Sequence, residues 1–391
     1  MVNKYLYPVG GAETYMFSLA KILQENGHHI EFFGLKNDGN IVGNQWNILM
    51  QGYTNKKIFN PLSLVYSKAA KRKMIKLLEL FKPDIVHFNN ISFDLTSSVI
   101  DACRIRNVPA VMTIHDPQLV CCNHMFYRTN TQEVCTKCLD GNFKHCIKNK
   151  CLKNSKLKSY LAYLDSKRTH KNNTYNYLSF FISPSVFLKN KLIEGGYDST
   201  KCKHLCNPID SSFITKDIPE KKDYILYYGR ISPEKGVKLL CEAVPDDINL
   251  IIAGVGPQMN DLPKKNNIKL VGFKSGEELK KLIKEAKFTV YPSIWYENCP
   301  LSVIESIALG TPVIGTNQGG IPELIKDNIT GMLFNSNNTI DLKTKISTLY
   351  NHKEYVNFVS NCINSEKVTI EKYYSEIIKI YKEAIQNEKA S

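Results

Sequence analysis

The sequence predicts an α/β protein built from two doubly wound, Rossmann-like domains that face a cleft. Three observations predict it. Short apolar runs alternate with helical patterns through both halves of the chain, as in parallel sheets covered by helices on both faces. A chain of 391 residues is too long for one ordinary core and asks for two domains. Glycines follow several of the apolar runs, at Gly229, at Gly254 and within residues 315–320, where a doubly wound sheet presents the carboxyl ends of its strands to a ligand.

In the first half, residues 30–34, 85–88, 110–114 and 180–182 are short apolar runs that fit buried strands. In the second half, the same reading covers 225–228, 250–253, 269–271, 288–291 and 312–315. Apolar residues at helical spacing mark helices over 13–26, 63–81, 185–194, 276–286 and 301–309. Asn207-Pro208 breaks regular structure and supplies a linker. Residues 1–207 therefore form the first domain, with a cysteine-rich insertion at 121–151. Residues 208–365 form the second, and 366–391 make a terminal helix.

Apolar residues at 43% and charged residues at 23% exclude a disordered or fibrous chain. No apolar run reaches the roughly 18–20 residues of a membrane-spanning helix, and the first residues lack a secretory-signal pattern. The expected location is the cytoplasm, with any membrane contact peripheral. The net charge of +14 is lopsided: residues 1–215 carry 28 Lys and Arg against 15 Asp and Glu, residues 216–391 carry 23 against 22. Within the basic half, Lys148, Lys150, Lys153, Lys156 and Lys158 precede Tyr160, Leu161, Tyr163 and Leu164. That stretch is either a basic surface for anionic lipid or a solvated helix covering the first sheet.

The chemistry concentrates in the second half. Gly229-Arg230 ends a predicted strand and Lys235-Gly236 opens the next helix. Two cations beside a helix start suit two adjacent phosphates. Gly254 follows the next strand and lets backbone approach a ligand. The richest stretch runs from Glu297 through Asn298, Cys299, Pro300 and Leu301 to Glu305. It enters a helix whose first backbone N–H groups can hold a diphosphate or sugar hydroxyls. Its two carboxylates suit hydrogen bonds to the hydroxyls of a nucleotide sugar.

These residues resemble the family-4 (group 1) retaining glycosyltransferases, which have the GT-B fold. Glu297 and Glu305 have the family's E-x7-E spacing. Gly229-Arg230, Lys235-Gly236, Gly254-Val255-Gly256-Pro257, Gly310-Thr311-Pro312-Val313 and Gly319-Gly320-Ile321-Pro322-Glu323-Leu324 follow in family order. Gly10-Gly11-Ala12-Glu13, His115-Asp116 and Ser183-Pro184-Ser185 extend the likeness over the first half.

The resemblance implies a metal-independent, retaining glycosyltransferase of hexosyltransferase type. It would move a sugar from a nucleotide-diphosphate donor, commonly a UDP-sugar, to a saccharide or lipid-linked acceptor in cell-surface polysaccharide or glycolipid synthesis. Arg230 and Lys235 would neutralise the departing diphosphate, Glu305 would bind the ribose, and Glu297 would hold hydroxyls of the transferred sugar. Gly10 and Gly11 would approach the phosphates or acceptor from the other domain, and His115 would line the sugar subsite. The terminal helix would pack back on the first domain. One departure stands out: residues 1–4 come almost directly before Tyr7-Pro8-Val9-Gly10-Gly11, so a shortened central strand is expected to lose ladder hydrogen bonds. A GT-B nucleotide-sugar epimerase shares this fold and donor site. The basic half also admits nucleic-acid binding, but no recognised nucleic-acid motif is present, and no nucleic-acid partner is expected.

Six of the twelve cysteines fall between Cys121 and Cys151. Cys135-Thr136-Lys137-Cys138 is a C-x2-C knuckle, which in a reducing compartment points to structural metal rather than disulfides. The expected ligands of a structural zinc are Cys121, Cys135, Cys138 and Cys151, with Cys146 or His145 as alternatives. Catalysis itself is expected to need no cofactor.

Overall fold

The computed structural model describes residues 1–53 and 60–390. The chain forms two compact units, one of Met1–Thr131, Cys135–Asn207 and Ile370–Ser391, the other of Gln132–Val134 and Pro208–Thr369.

In the first unit, the parallel strands Val86–Phe88, Ala110–Thr113, Phe180–Ser183 and Cys202–His204 lie side by side in that order. Their residues are apolar and almost wholly buried, as with Phe88, Val111 and Phe181, because helices cover both faces. The run predicted at 30–34 is not a continuous strand. Phe33 makes an isolated bridge to Val2, and Leu35 one to Met50. The short chain start nevertheless keeps its ladder: Val2 N donates to His87 O (2.9 Å), Asn3 N to Phe33 O (3.1 Å), and Lys4 N to Asn90 O (2.7 Å). The anticipated loss of hydrogen bonds at that position is not observed, because residues 1–4 are bonded on both sides.

The terminal helix Ile370–Ala390 belongs to this unit, held by polar groups as well as apolar ones. Tyr15 OH meets Thr113 Oγ1 at 3.0 Å and Tyr373 OH at 2.6 Å. His87 bonds Thr113 Oγ1 through Nε2 (2.8 Å) and Tyr381 OH through Nδ1. Burial holds His87 at about 3, far below the usual histidine range, so its ring is neutral.

The second unit has a six-stranded parallel sheet. Across it lie Gly331–Phe334, Val313–Thr316, Thr289–Tyr291, Ile225–Tyr228, Leu250–Ala253 and Ile268–Gly272. Chain order reverses between Ile225–Tyr228, the first strand, and Thr289–Tyr291, the fourth. The loops leaving the carboxyl ends of those two strands therefore diverge and open a crevice, the usual ligand position in such sheets. The core beneath contains Ile225, Tyr227, Ile252, Phe288 and Ile314, each nearly inaccessible.

Candidate functional site

The two loops flanking that crevice bring Lys235 and Glu297 together. Strand Ile225–Tyr228 leads through Gly229 and Arg230 to the turn Pro233–Lys235 and the helix Val237–Ala243. Strand Thr289–Tyr291 leads through residues 292–300 to the helix Leu301–Ala308. Lys235 Nζ donates to Glu297 Oε1 at 2.6 Å and to Tyr291 OH at 3.2 Å. The same Glu297 oxygen accepts from Ser293 Oγ (2.7 Å) and from Trp295 Nε1. Lys235 also lies over the Tyr291 and Trp295 rings, 5.5 and 5.2 Å from their centroids, positions that favour a cation.

Backbone contacts lock this arrangement. Ile294 N donates to Glu234 O (2.9 Å) and Gly320 N to Glu297 O (2.8 Å). Gly236 sits at φ +69°, and a Cβ there would lie 2.0 Å from Pro292 O. Only glycine lets the two loops approach so closely. At Gly254 a Cβ would lie 1.9 Å from Gly229 O, so the ends of the first two strands also converge backbone to backbone.

The two glutamates are in opposite electrostatic states. Burial alone would raise the Glu297 pKa. The Lys235 ammonium and the hydrogen bonds from Lys235, Trp295 and Ser293 outweigh it and hold the carboxyl below its usual range. Burial likewise disfavours the Lys235 charge, and Glu297 with Tyr291 more than offsets it, leaving Lys235 above the ordinary lysine range. Glu305 has no such cation. Burial pushes it up to about 7, and the neighbouring Tyr228 hydroxyl offsets only part of that. One carboxylate is thus firmly ionised, and the other is poised near neutrality.

Arg230 is exposed at the end of its strand, unlike the engaged Lys235. Cys299 and Pro300 are buried, and Pro300 caps the helix Leu301–Ala308. Sequence reasoning missed Ser293, Trp295 and Tyr228. The only signal for the first two was their place as hydrogen-bond donors in the loop before Glu297.

The first unit has its own crevice at the same kind of reversal, between residues 1–4 and Val86–Phe88. A hollow of about 270 Å³ there is lined by Lys4, Tyr5, Val9, Glu13, Asn90, Ser92, Phe93, Asp116 and His124. Asn3 Nδ2 donates to the buried Glu13 Oε1 at 2.9 Å, and His124 stacks on Phe93 at 5.1 Å. Burial raises Asp116 to about 7, partly offset by the Gln118 backbone amide. Gly10 and Gly11 are exposed at the start of the helix Gly11–Glu25. His115 packs edge-on against Tyr15 at 5.0 Å, and its Nε2 lies 2.9 Å from Asn89 Oδ1. Burial lowers His115 to about 3, so it is a neutral hydrogen-bonding ring. A larger hollow of about 440 Å³, lined by residues such as Leu23, Glu31, Lys82 and Tyr381, lies at the amino ends of the strands, away from these groups.

The expected zinc ligands Cys121, Cys135, Cys138 and Cys151 line one small hollow, together with Cys122, Cys146 and His145. Cys138 and Cys151 group with Cys122 and Cys146, whereas Cys121 turns its Sγ to Asn123 Oδ1 at 2.9 Å. The consecutive residues Cys121 and Cys122 project differently, a choice the spacing alone leaves open.

Comparison with known proteins gives the family of the chain. Residues 209–368 match the family described as glycosyl transferases group 1, and residues 9–213 match glycosyltransferase family 4. An uncharacterized glycosyltransferase of Methanocaldococcus jannaschii, MJ1607, is 24% identical over 97% of this chain and 95% of its own. Anabaena Alr3699/HepE, crystallised with UDP, superposes with a TM-score of 0.70 at 15% identity, covering 97% of this chain and 98% of that one. The lipopolysaccharide outer core galactosyltransferase WaaB superposes with a TM-score of 0.64 at 16% identity, covering 99% and 98%. At such identities the two structures speak to the fold, and they share it.

Proposed function

The chain belongs to the group 1, family-4 glycosyltransferases, and from that premise we propose that it transfers a sugar from a UDP-sugar to a saccharide or lipid-linked acceptor, with retention at the anomeric carbon. The observation that carries this reading is the Lys235–Glu297 pair at the strand-order reversal. A half-buried cation facing an ionised carboxylate, beside a helix start, suits a ligand that carries phosphate at one end and hydroxyls at the other. UDP in the Anabaena relative supports the donor, and lipopolysaccharide in the name of WaaB supports a surface-glycan acceptor.

In this proposal Lys235 and Arg230 stabilise the charge that develops on the departing diphosphate, so no divalent cation is required. Glu297 accepts hydrogen bonds from sugar hydroxyls, and Glu305 from the ribose. The backbone at Gly229, Gly254 and residues 298–301 borders the donor. The bond from the anomeric carbon to the diphosphate oxygen breaks, and the acceptor oxygen attacks from the same face. The acceptor proton passes to the leaving phosphate. On the first unit, Gly10, Gly11 and His115 serve the acceptor or sugar side; each lies within two residues in sequence of a residue lining the polar hollow, whose Glu13, Asn90, Ser92 and Asp116 suit a hydroxyl-rich acceptor.

We further propose peripheral attachment at the cytoplasmic face of a membrane. Leu157 and Tyr160 are exposed at 67% and 47%, beside exposed Lys153, Lys156 and Lys158, a mixture suited to anionic lipid. Among the described residues no helix is long and apolar enough to cross a membrane.

The test is release of nucleoside diphosphate across a panel of nucleotide sugars, with and without chelator. The expected result is turnover of a UDP-sugar, unchanged by chelator, lowered about 10²–10³-fold in Glu297→Gln, and giving a product with the donor's anomeric configuration by NMR. Inverted product overturns retention, and chelator sensitivity overturns metal independence. Failure of every nucleotide sugar to turn over or to protect the protein thermally overturns the donor site.

A further inference from the structure

The insertion following Asp116 contains a buried group of thiols that glycosyl transfer does not use. Cys122 and Cys146 are each 1% exposed. Cys138 and Cys151 pack against them with Phe143, Leu152 and Ala162. The contacts form a chain: the Cys122 thiol interacts with those of Cys138 and Cys146, and Cys146 with that of Cys151. No disulfide joins cysteines among the described residues.

The space these thiols line is small. Together with Cys121, Cys135 and His145 they border a hollow of about 10 Å³, room for one ion and far too little for a sugar or nucleotide. Beside them Phe126, Tyr127, Leu139 and Phe143 are buried. Residues 129–134 are exposed, and the local cluster has few buried apolar members besides the thiols. A long, irregular segment with so small a core needs a staple to stay ordered. Such a staple has firm anchorage here. Cys146 Sγ reaches Ser159 O at 3.7 Å, and Leu152 N donates to Ser159 Oγ at 3.0 Å. Both tie the segment to the helix Lys156–Lys171, which is itself fixed by Arg168 to Asp101.

We propose that Cys122, Cys138, Cys146 and Cys151 together bind one thiophilic divalent ion, zinc by preference, which fixes the insertion to the first unit. As the side chains stand, no group of three or more His, Cys, Asp and Glu among the described residues is placed to hold a metal ion. Binding therefore exchanges thiol–thiol contacts for four metal–sulfur bonds of about 2.3 Å, by side-chain rotation. Each thiol that ligates gives up its proton to solvent, so uptake releases protons. Four thiolates on a divalent ion leave two negative charges, and exposed Lys137, Lys144, Lys148, Lys150 and Lys153 surround the segment. Part of the basic excess of the first half thereby acquires a local role. The site also has a consequence for the hollow beside residues 1–4. His124, one of its walls, lies two residues from Cys122, so a metal at Cys122 holds that wall in position.

The test uses the full chain, purified under reducing conditions from zinc-supplemented cells. Metal analysis should find about one zinc per chain. Cys122→Ser and Cys146→Ser should each lose it, whereas Cys121→Ser and Cys135→Ser should keep it. Should the ligand variants fail to fold, the wild-type chain loaded with cobalt should show the visible bands of a tetrahedral cobalt–thiolate centre. Stripping the metal should lower Tm by roughly 5 °C or more. Folded wild-type protein with less than about a tenth of an ion per chain overturns the proposal. So do disulfides among these four residues in protein handled without oxygen, or loss of the ion from Cys121→Ser as complete as from Cys122→Ser.

Discussion

Residues 292–300 and residues 116–151 each follow the carboxyl end of a parallel strand, yet they are held by different physics. The shorter loop is organised around one carboxylate. Glu297 collects Lys235, Ser293 and Trp295 on a single oxygen, and glycine brings the facing backbone within contact distance. In the longer loop Asn123 ties neighbouring backbone, while the thiols gather from well-separated positions. The difference shows why one was readable and the other was not. In the short loop most partners lie within a few residues of Glu297, so spacing nearly determines contact. In the long loop, contact depends on how the chain returns.

The largest expected effect breaks the short loop at its hub. Glu297→Gln keeps the shape but removes the charge facing Lys235, and turnover should fall by about 10²–10³-fold, measured as nucleoside diphosphate release. Lys235→Met strips the pair from the other side and leaves Glu297 buried without its cation. Its destabilisation should reach about 3–5 kcal/mol in urea unfolding, well beyond that of Arg230→Met at the exposed position.

A glycine pair sharpens the contrast. Gly236 and Gly141 both have positive φ, +69° and +77°, but a Cβ meets Pro292 O at 2.0 Å in the first case and nothing within 4 Å in the second. Gly141→Ala should carry only the left-handed backbone penalty of about 1 kcal/mol. Gly236→Ala should add the clash and lose about 3 kcal/mol or more. Equal losses would show that the close approach of the two loops is not a real constraint.

The smallest effect concerns Glu305. Its folded pKa of about 7 lies above the ordinary value of 4.5, so the folded protein holds an extra proton between those values. Stability from this group therefore falls as pH rises from 4.5 to 7 and is level above. Glu305→Gln should melt at a higher temperature than wild type at pH 8, by a few degrees, and match it at pH 4. A variant with the same advantage at both pH values would locate the effect in packing instead of charge.

The alternation of strand and helix was legible through both halves because burial on both faces leaves continuous apolar runs. The second unit followed it closely, with predicted strands at 225–228 and 250–253 matching Ile225–Tyr228 and Leu250–Ala253. Other elements escaped notice. The strands Cys202–His204 and Gly331–Phe334 and the helix Ser98–Arg106 are short, and a period cannot be established over so few residues. The segment at 30–34 misled in the other direction, since an apolar run signals burial and not ladder pairing. Of the site, Glu297, Glu305, Lys235 and the glycines were readable because backbone geometry ties them to turns and helix starts.

By itself, the sequence determined two α/β units, the family, and the carboxylates and cations of the candidate site at the carboxyl ends of the second sheet. Those features are written in local patterns, where periodicity and spacing carry the physics. The tertiary structure decided the rest: that Glu297 is ionised by Lys235 while Glu305 stays near neutrality, that Tyr15, His87 and Tyr381 anchor the terminal helix, and that Cys122 rather than Cys121 joins the thiol group. Each is a pairing between segments distant in sequence. Burial and partner choice, which set both charge state and ligand set, exist only once those segments have met.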